Sequence, residues 1–182
     1  METRVALTNL GKYNEGELYF EWLELPFTQE EFRNTLKAIE VAEGTPYEEY
    51  FVSDVECDDE VLRKSIGEYP DLKHLNELVE KLNELDDEDR VHAVLMVLDD
   101  NGTILDFEEC LEVFNRIEDT IIYYSAENYD ELGRELVDGT MEIDEWIEPY
   151  FDYNMFGRDA CMERNTIEDF DYGIVVWEWE DC

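Results

Sequence analysis

ELYFEWLELPFTQEEFRNTLKAIEV, residues 17–41, is the stretch that decides the fold. Its first nine residues, Glu17 to Leu25, are rich in aromatic side chains and predict a strand. Pro26 and Thr28 then open a helix, and Thr28 with Glu31 has the spacing of a capping box. The helix is expected to reach about Val41, with Gly44 and Pro46 ending it. Upstream, Arg4 to Leu10 predicts a short strand closed by Gly11, and Lys12-Tyr13-Asn14-Glu15-Gly16 a turn. Downstream, Tyr47 to Val55 predicts a third strand. Together these form a β-β-α-β unit of about sixty residues.

The middle of the chain is helical in pattern. Leu72, Leu75, Leu78, Val79, Leu82 and Leu85 recur at helical spacing after Pro70. Asp86-Asp87-Glu88-Asp89 breaks the pattern, and Val91, Val94, Leu95 and Leu98 start a second stripe that stops at Asn101-Gly102. The final third mixes both element types. Asp106 caps a helix carrying Phe107, Cys110, Leu111 and Phe114; Thr120 to Tyr124 reads as a strand. Asn128 with Glu131 opens a helix through Val137. A short helix is expected from Tyr153 to Glu163, and a closing strand from Gly173 to Trp179. The fold class is α+β, with three small modules in a row at 1–60, 61–103 and 104–182.

Charge excludes several functions. The 182 residues include 51 acids and 13 bases, a net charge of −38. Residues 91–182 hold 26 acids against Arg116, Arg134, Arg158 and Arg164 alone. Too few cations exist to neutralise phosphates, so no nucleic-acid partner is expected. An anionic membrane surface would repel the chain. Yet 44% of residues are apolar and 13% aromatic, enough for a folded core. The opening residues show no basic region followed by an apolar stretch, and the four cysteines, at 57, 110, 161 and 182, are scattered. Both features point to the cytoplasm.

Catalytic and metal motifs are missing from the pattern. His74 and His92 have no partner at metal-ligand spacing, and no phosphate-binding or nucleophile-elbow motif occurs. Asp99, Asn101, Gly102 and Glu108 fall at four places of a calcium loop, but Val97 occupies the first and cannot ligate. A helix C-cap explains Asn101-Gly102 better. No cofactor, metal or catalytic residue is assigned.

Acidic stripes remain. Glu127, Glu131, Glu135 and Asp138 share one helical face by spacing, and so do Glu77, Glu80 and Glu84. Asp106, Glu109, Glu112 and Asp130 complete the candidate binding surface. Like charges at these spacings cost a helix about 0.2–0.5 kcal/mol per pair, so a sequence tuned only for folding would alternate signs. Duplex DNA carries about one charge per 1.7 Å of axis. At that density 38 charges span about 65 Å, or roughly nineteen base pairs, which a row of small modules can reach and a compact globule cannot. A rigid acidic body of that kind could mimic DNA. The alternative is a non-specific binder or chaperone of basic DNA-binding proteins.

Specific segments point further. Val5-Ala6-Leu7-Thr8-Asn9-Leu10-Gly11-Lys12-Tyr13-Asn14-Glu15-Gly16-Glu17-Leu18 resembles the start of ArdA-type antirestriction proteins. So do Tyr47-Glu48-Glu49-Tyr50 and Asp54. Phe151-Asp152-Tyr153 with Phe156-Gly157-Arg158-Asp159 is similar to that family's late signature, and Glu127 to Val137 resembles its antirestriction motif. Where that motif commonly continues with acids, this chain has Asp138 and then Gly139-Thr140. The resemblance implies a DNA mimic from a mobile element that occupies the DNA-binding methyltransferase core of Type I restriction–modification enzymes. It also implies an elongated homodimer with the C-terminal region at the contact.

Overall fold

A computed structural model describes residues 1–178; Trp179 and Cys182, both singled out in the sequence, lie outside the described residues. The chain forms two compact units, residues 1–86 with 103–111 and residues 87–102 with 112–182. Both contain helices and a small antiparallel sheet, so the fold is α+β.

The first unit is built on β1 (Thr3–Asn9), β2 (Phe20–Leu25) and β3 (Tyr50–Cys57), in the order β2-β1-β3. Alternation decides its two faces. Val5, Leu7, Leu23, Leu25 and Val52 are buried. On the other face Arg4 lies between Glu24 and Glu56, and Thr8 between Phe20 and Phe51. α2 (Gln29–Ala38) opens as expected: the Thr28 hydroxyl accepts from Glu31 N–H, and the Glu31 carboxylate accepts from Thr28 N–H at 2.7 Å. It ends earlier than Val41. Glu40 N–H donates to the Lys37 carbonyl and Val41 N–H to that of Leu36, with Glu40 at φ 59°. This is a Schellman cap with glutamate where glycine is usual.

The segment expected as a turn contains a short helix instead, α1 (Leu10–Asn14). The Asn9 side chain accepts from Lys12 N–H and nucleates it. A second short helix, α3 (Glu60–Ser65), starts at Asp59, whose carboxylate accepts from Val61 and Leu62 N–H. Then comes α4 (Leu72–Leu82), which buries Leu72, Leu75, Leu78, Val79 and Leu82, the stripe expected from spacing.

In the second unit, α5 (Glu88–Asp100) is buried from Val91 to Leu98 on all sides. Such a helix belongs in a core. It ends at the C-cap Asn101 with Gly102 at φ 72°, so these residues terminate a helix. α6 (Phe107–Ile117) belongs to the first unit up to Leu111 and to the second from Glu112. β4 (Ile122–Ser125), α7 (Tyr129–Thr140), α8 (Tyr153–Met162), β5 (Ile167–Asp169) and β6 (Ile174–Glu178) follow, with a 3₁₀ turn at Glu148–Tyr150. The sheet order is β4-β6-β5, and α5 packs against it. The expected closing strand is therefore β6, while β5, too short to show a period, was not anticipated. His92 of α5 is buried, stacks on Tyr172 at 3.8 Å and places Nε2 3.2 Å from an Asp169 carboxylate oxygen.

Candidate functional site

The α7 segment carries the densest acidic stripe, and its geometry starts at its cap. Asn128 Oδ1 accepts from the N–H groups of Asp130 and Glu131, both at 3.0 Å. The Glu131 carboxylate reaches back to Glu127 N–H at 3.0 Å and to Asn128 Nδ2 at 3.2 Å. Glu127 therefore precedes the helix, and only Glu131, Glu135 and Asp138 of the expected stripe share its face. All three are exposed. Among the described residues no cation pairs with Glu135 or Asp138. Asp130 lies beside the stripe and is bound by Arg134 at 2.8 Å. The Arg134 guanidinium also stacks 4.1 Å from the Tyr153 ring.

What fixes α7 is its crossing with α8. A Cβ at Gly133 would overlap the Tyr153 carbonyl, standing 2.8 Å from its carbon. A Cβ at Gly157 would overlap the Tyr129 carbonyl oxygen and stand 2.9 Å from the Gly133 nitrogen. The two glycines let the backbones touch, a separation no other residue pair permits. Beneath them Leu132, Leu136, Cys161, Val175 and Trp177 form a shared core. Tyr129 OH donates to Glu168 at 2.6 Å, tying the start of α7 to β5. That bond, helped by burial, pushes the phenol up to about 12. Arg158 pairs with its neighbour Asp159 at 3.3 Å on the surface.

The remaining candidates occupy other elements. Glu77 and Glu80 lie on α4, where Glu77 meets Lys73 at 3.5 Å. Glu84 lies past the C-cap Asn83 and so leaves the face that spacing assigned to it. Asp106 is a cap: its carboxylate accepts from Glu108 and Glu109 N–H at 3.1 and 3.2 Å. Glu109 and Glu112 are exposed on α6. Among the described residues no group of three or more acids, histidines or cysteines is placed to hold a metal ion, and no helix is long and apolar enough to cross a membrane.

A family model described as antirestriction protein (ArdA) matches residues 5–176. The chain belongs to the ArdA antirestriction family. Among curated proteins, none matches it. The family match spans both segments that meet at the Gly133–Gly157 crossing, so the two stretches of ArdA-like sequence found in the last third are one packed structure. α7 supplies one wall and α8 the other.

Sequence reasoning missed these two glycines. The available signal was a glycine inside each helical pattern, where it costs about 1 kcal/mol against alanine and so asks for a packing reason. It also missed the open face of the first sheet, where Arg4 Nε donates to Glu56 at 2.7 Å, lies 3.7 Å from Glu24 and stacks on Trp22 at 4.7 Å. Nor did it single out Glu142, Asp144, Glu145 and Glu148, which lie within four residues of the 73% exposed Trp146 in the segment joining α7 to α8.

Proposed function

We propose that this chain blocks Type I restriction–modification enzymes by imitating DNA. Its carboxylates stand in for phosphates in the basic groove of the methyltransferase core. It acts by occupancy, one stoichiometric complex at a time, with no turnover and no cofactor. The observation that carries this reading is the α7 stripe: Glu131, Glu135 and Asp138 point to solvent from a helix locked by glycine contact to its neighbour. Charges held rigidly need not be ordered on binding, and ordering is what flexible acidic chains must offset. Displacing the groove's counterions then contributes affinity in the way DNA does. The mimic carries no base edges, so it blocks enzymes whatever sequence they recognise.

The proposal extends to assembly and place. Three modules in a row, joined at the C-terminal region into an elongated homodimer, would supply the length that 38 charges per chain require. The cytoplasm is where such an enzyme would be met. Small-angle scattering on the purified protein tests the shape.

The functional test is a titration of the protein into a Type I methyltransferase core holding fluorescent duplex DNA. The expected result is displacement that saturates at about one dimer per enzyme and weakens as salt rises. The variant Glu131→Gln, Glu135→Gln, Asp138→Asn should displace less while keeping its circular dichroism spectrum. Equal displacement by that variant removes the stripe from the contact. Absence of displacement by the parent protein, or equal displacement by an unrelated acidic protein, overturns the mimic reading.

A further inference from the structure

The open face of the first sheet ends in aromatic rings rather than carboxylates. Phe20 and Phe51 flank Thr8 across the three strands. Tyr13 stacks edge-on against Phe51 at 5.2 Å, and Tyr69 lies 6.4 Å from it. Phe20, Tyr13 and Tyr69 are 47%, 55% and 67% exposed. Exposed rings grouped in this way on a chain of this charge are the kind of surface that contact sites use. Carboxylates border it: Asp54 is exposed on the same face, and Glu68, next to Tyr69, is held beside β3 by the bond from Val52 N–H to its carbonyl.

The same face shows what this combination holds. Arg4, at its other end, is gripped between the Trp22 ring and the carboxylates of Glu56 and Glu24. Lys12 repeats the arrangement, 4.7 Å from the Tyr47 ring and 3.2 Å from Glu17. Arg134 does so between Tyr153 and Asp130. Ring plus carboxylate is how this chain holds these three of its own cations. At Phe20 and Tyr69 the rings are exposed, and the net charge of −38 selects a cationic occupant. A guanidinium suits such a place better than an ammonium, being flat, weakly hydrated and able to stack while pairing.

We propose that the aromatic end of this sheet face is a docking platform for arginine side chains of a basic partner protein. The inference rests on the reading that the partner presents a basic groove, and it adds a stacking contribution that phosphate mimicry alone lacks. It makes part of the affinity resistant to salt and selective for arginine over lysine.

The test uses fluorescent oligoarginine and oligolysine peptides of equal length, with anisotropy read against the full chain at low and high salt. Oligoarginine should bind more tightly, and the ratio should widen as salt rises. Phe20→Leu with Tyr69→Leu keeps apolar volume and removes the rings. It should weaken oligoarginine about two- to fivefold per ring, the range of an exposed cation–π contact, and weaken oligolysine less, so that the arginine-to-lysine ratio falls. Trp146→Ala should leave the ratio intact. A ratio that survives in the double variant, or that falls instead in Trp146→Ala, overturns the proposal. So does a change of oligomeric state in the double variant, which would make the face a self-contact. No restriction enzyme is present, so failure here leaves the DNA-displacement test standing, and failure there leaves this selectivity standing.

Discussion

The sheet of the first unit and the helix pair of the second treat charge in opposite ways. In the sheet, Arg4 is spent inside an acidic row and bound by Glu56, Glu24 and the Trp22 ring. Its carboxylates are partly neutralised where they stand. In the helix pair, structure comes from what is missing: two glycines bring the backbones together, and Glu135 and Asp138 face water without a cation. Backbone contact sets the crossing, with the Arg134 guanidinium on the Tyr153 ring beside it, and Glu135 and Asp138 take no part in holding it. That explains why a chain with four bases after residue 90 can still hold its acidic helix in one place.

The sharpest way to break this contrast is Gly133→Ala. The new methyl would overlap the Tyr153 carbonyl, which is backbone and cannot rotate aside. The expected cost is about 3 kcal/mol or more, at the upper end for overpacking, read from urea unfolding of the variant. Gly139→Ala is the control on the same helix. Nothing lies within 4 Å of its Cβ position, so it should stabilise by up to about 1 kcal/mol through helix propensity. If both variants behave alike, the crossing does not set the geometry of α7.

Asn128→Ala comes next in size. It removes the acceptor for two N–H groups at the start of α7 and should cost about 1 kcal/mol. Loss of DNA displacement well beyond that of stability would show that the cap also orients the acidic stripe. Equal stability in the two proteins would mean that the glycine crossing alone holds the helix start.

The first unit offers a change of opposite sign. Glu40 adopts φ 59° to close α2, a conformation costing a side chain roughly 1 kcal/mol relative to glycine. Glu40→Gly should stabilise by about 0.5–1 kcal/mol, read as a higher unfolding midpoint. A lower midpoint would mean that the Glu40 side chain, 3.9 Å from Lys12, contributes more than its backbone strain costs.

These sites also mark how far the sequence could be read. α4 was legible because its leucines keep a helical period for three turns, and α5 because Val91, Val94, Leu95 and Leu98 keep it for two, although α5 is buried on every side. The caps at Thr28 and Asn128 were legible because each pairs with a glutamate three residues on. α1, α3 and β5 were not, since one or two turns, or three strand residues, carry no period. β5 exists by virtue of its partner β6. At the candidate site, the grouping of Glu131, Glu135 and Asp138 on α7 was legible but the ends of the stripes were not. Glu127 and Glu84 fall off their helices because Asn128 and Asn83 are the caps. The Gly133–Gly157 contact joins positions 24 apart in the chain; each glycine stands out in its own helix, but local spacing does not say that they meet.

The smallest effect concerns pH and sharpens the contrast from the first unit's side. Glu31 accepts from both the N–H and the hydroxyl of Thr28 at 2.7 Å, and these bonds hold its carboxyl below the ordinary glutamate range. A group whose value is lowered in the folded state stabilises most when ionised in both states. Its contribution is full above the unfolded value of about 4.3 and disappears as pH falls through the folded value. The stability difference between the parent protein and Glu31→Gln should therefore be flat from about pH 7 to 5 and close below about pH 4. Over the same acid range both proteins should gain from relief of carboxylate repulsion, and subtraction removes that shared gain. A difference that widens on acidification would assign the capping energy to the neutral carboxyl, whose O–H can donate but cannot replace the second accepted bond.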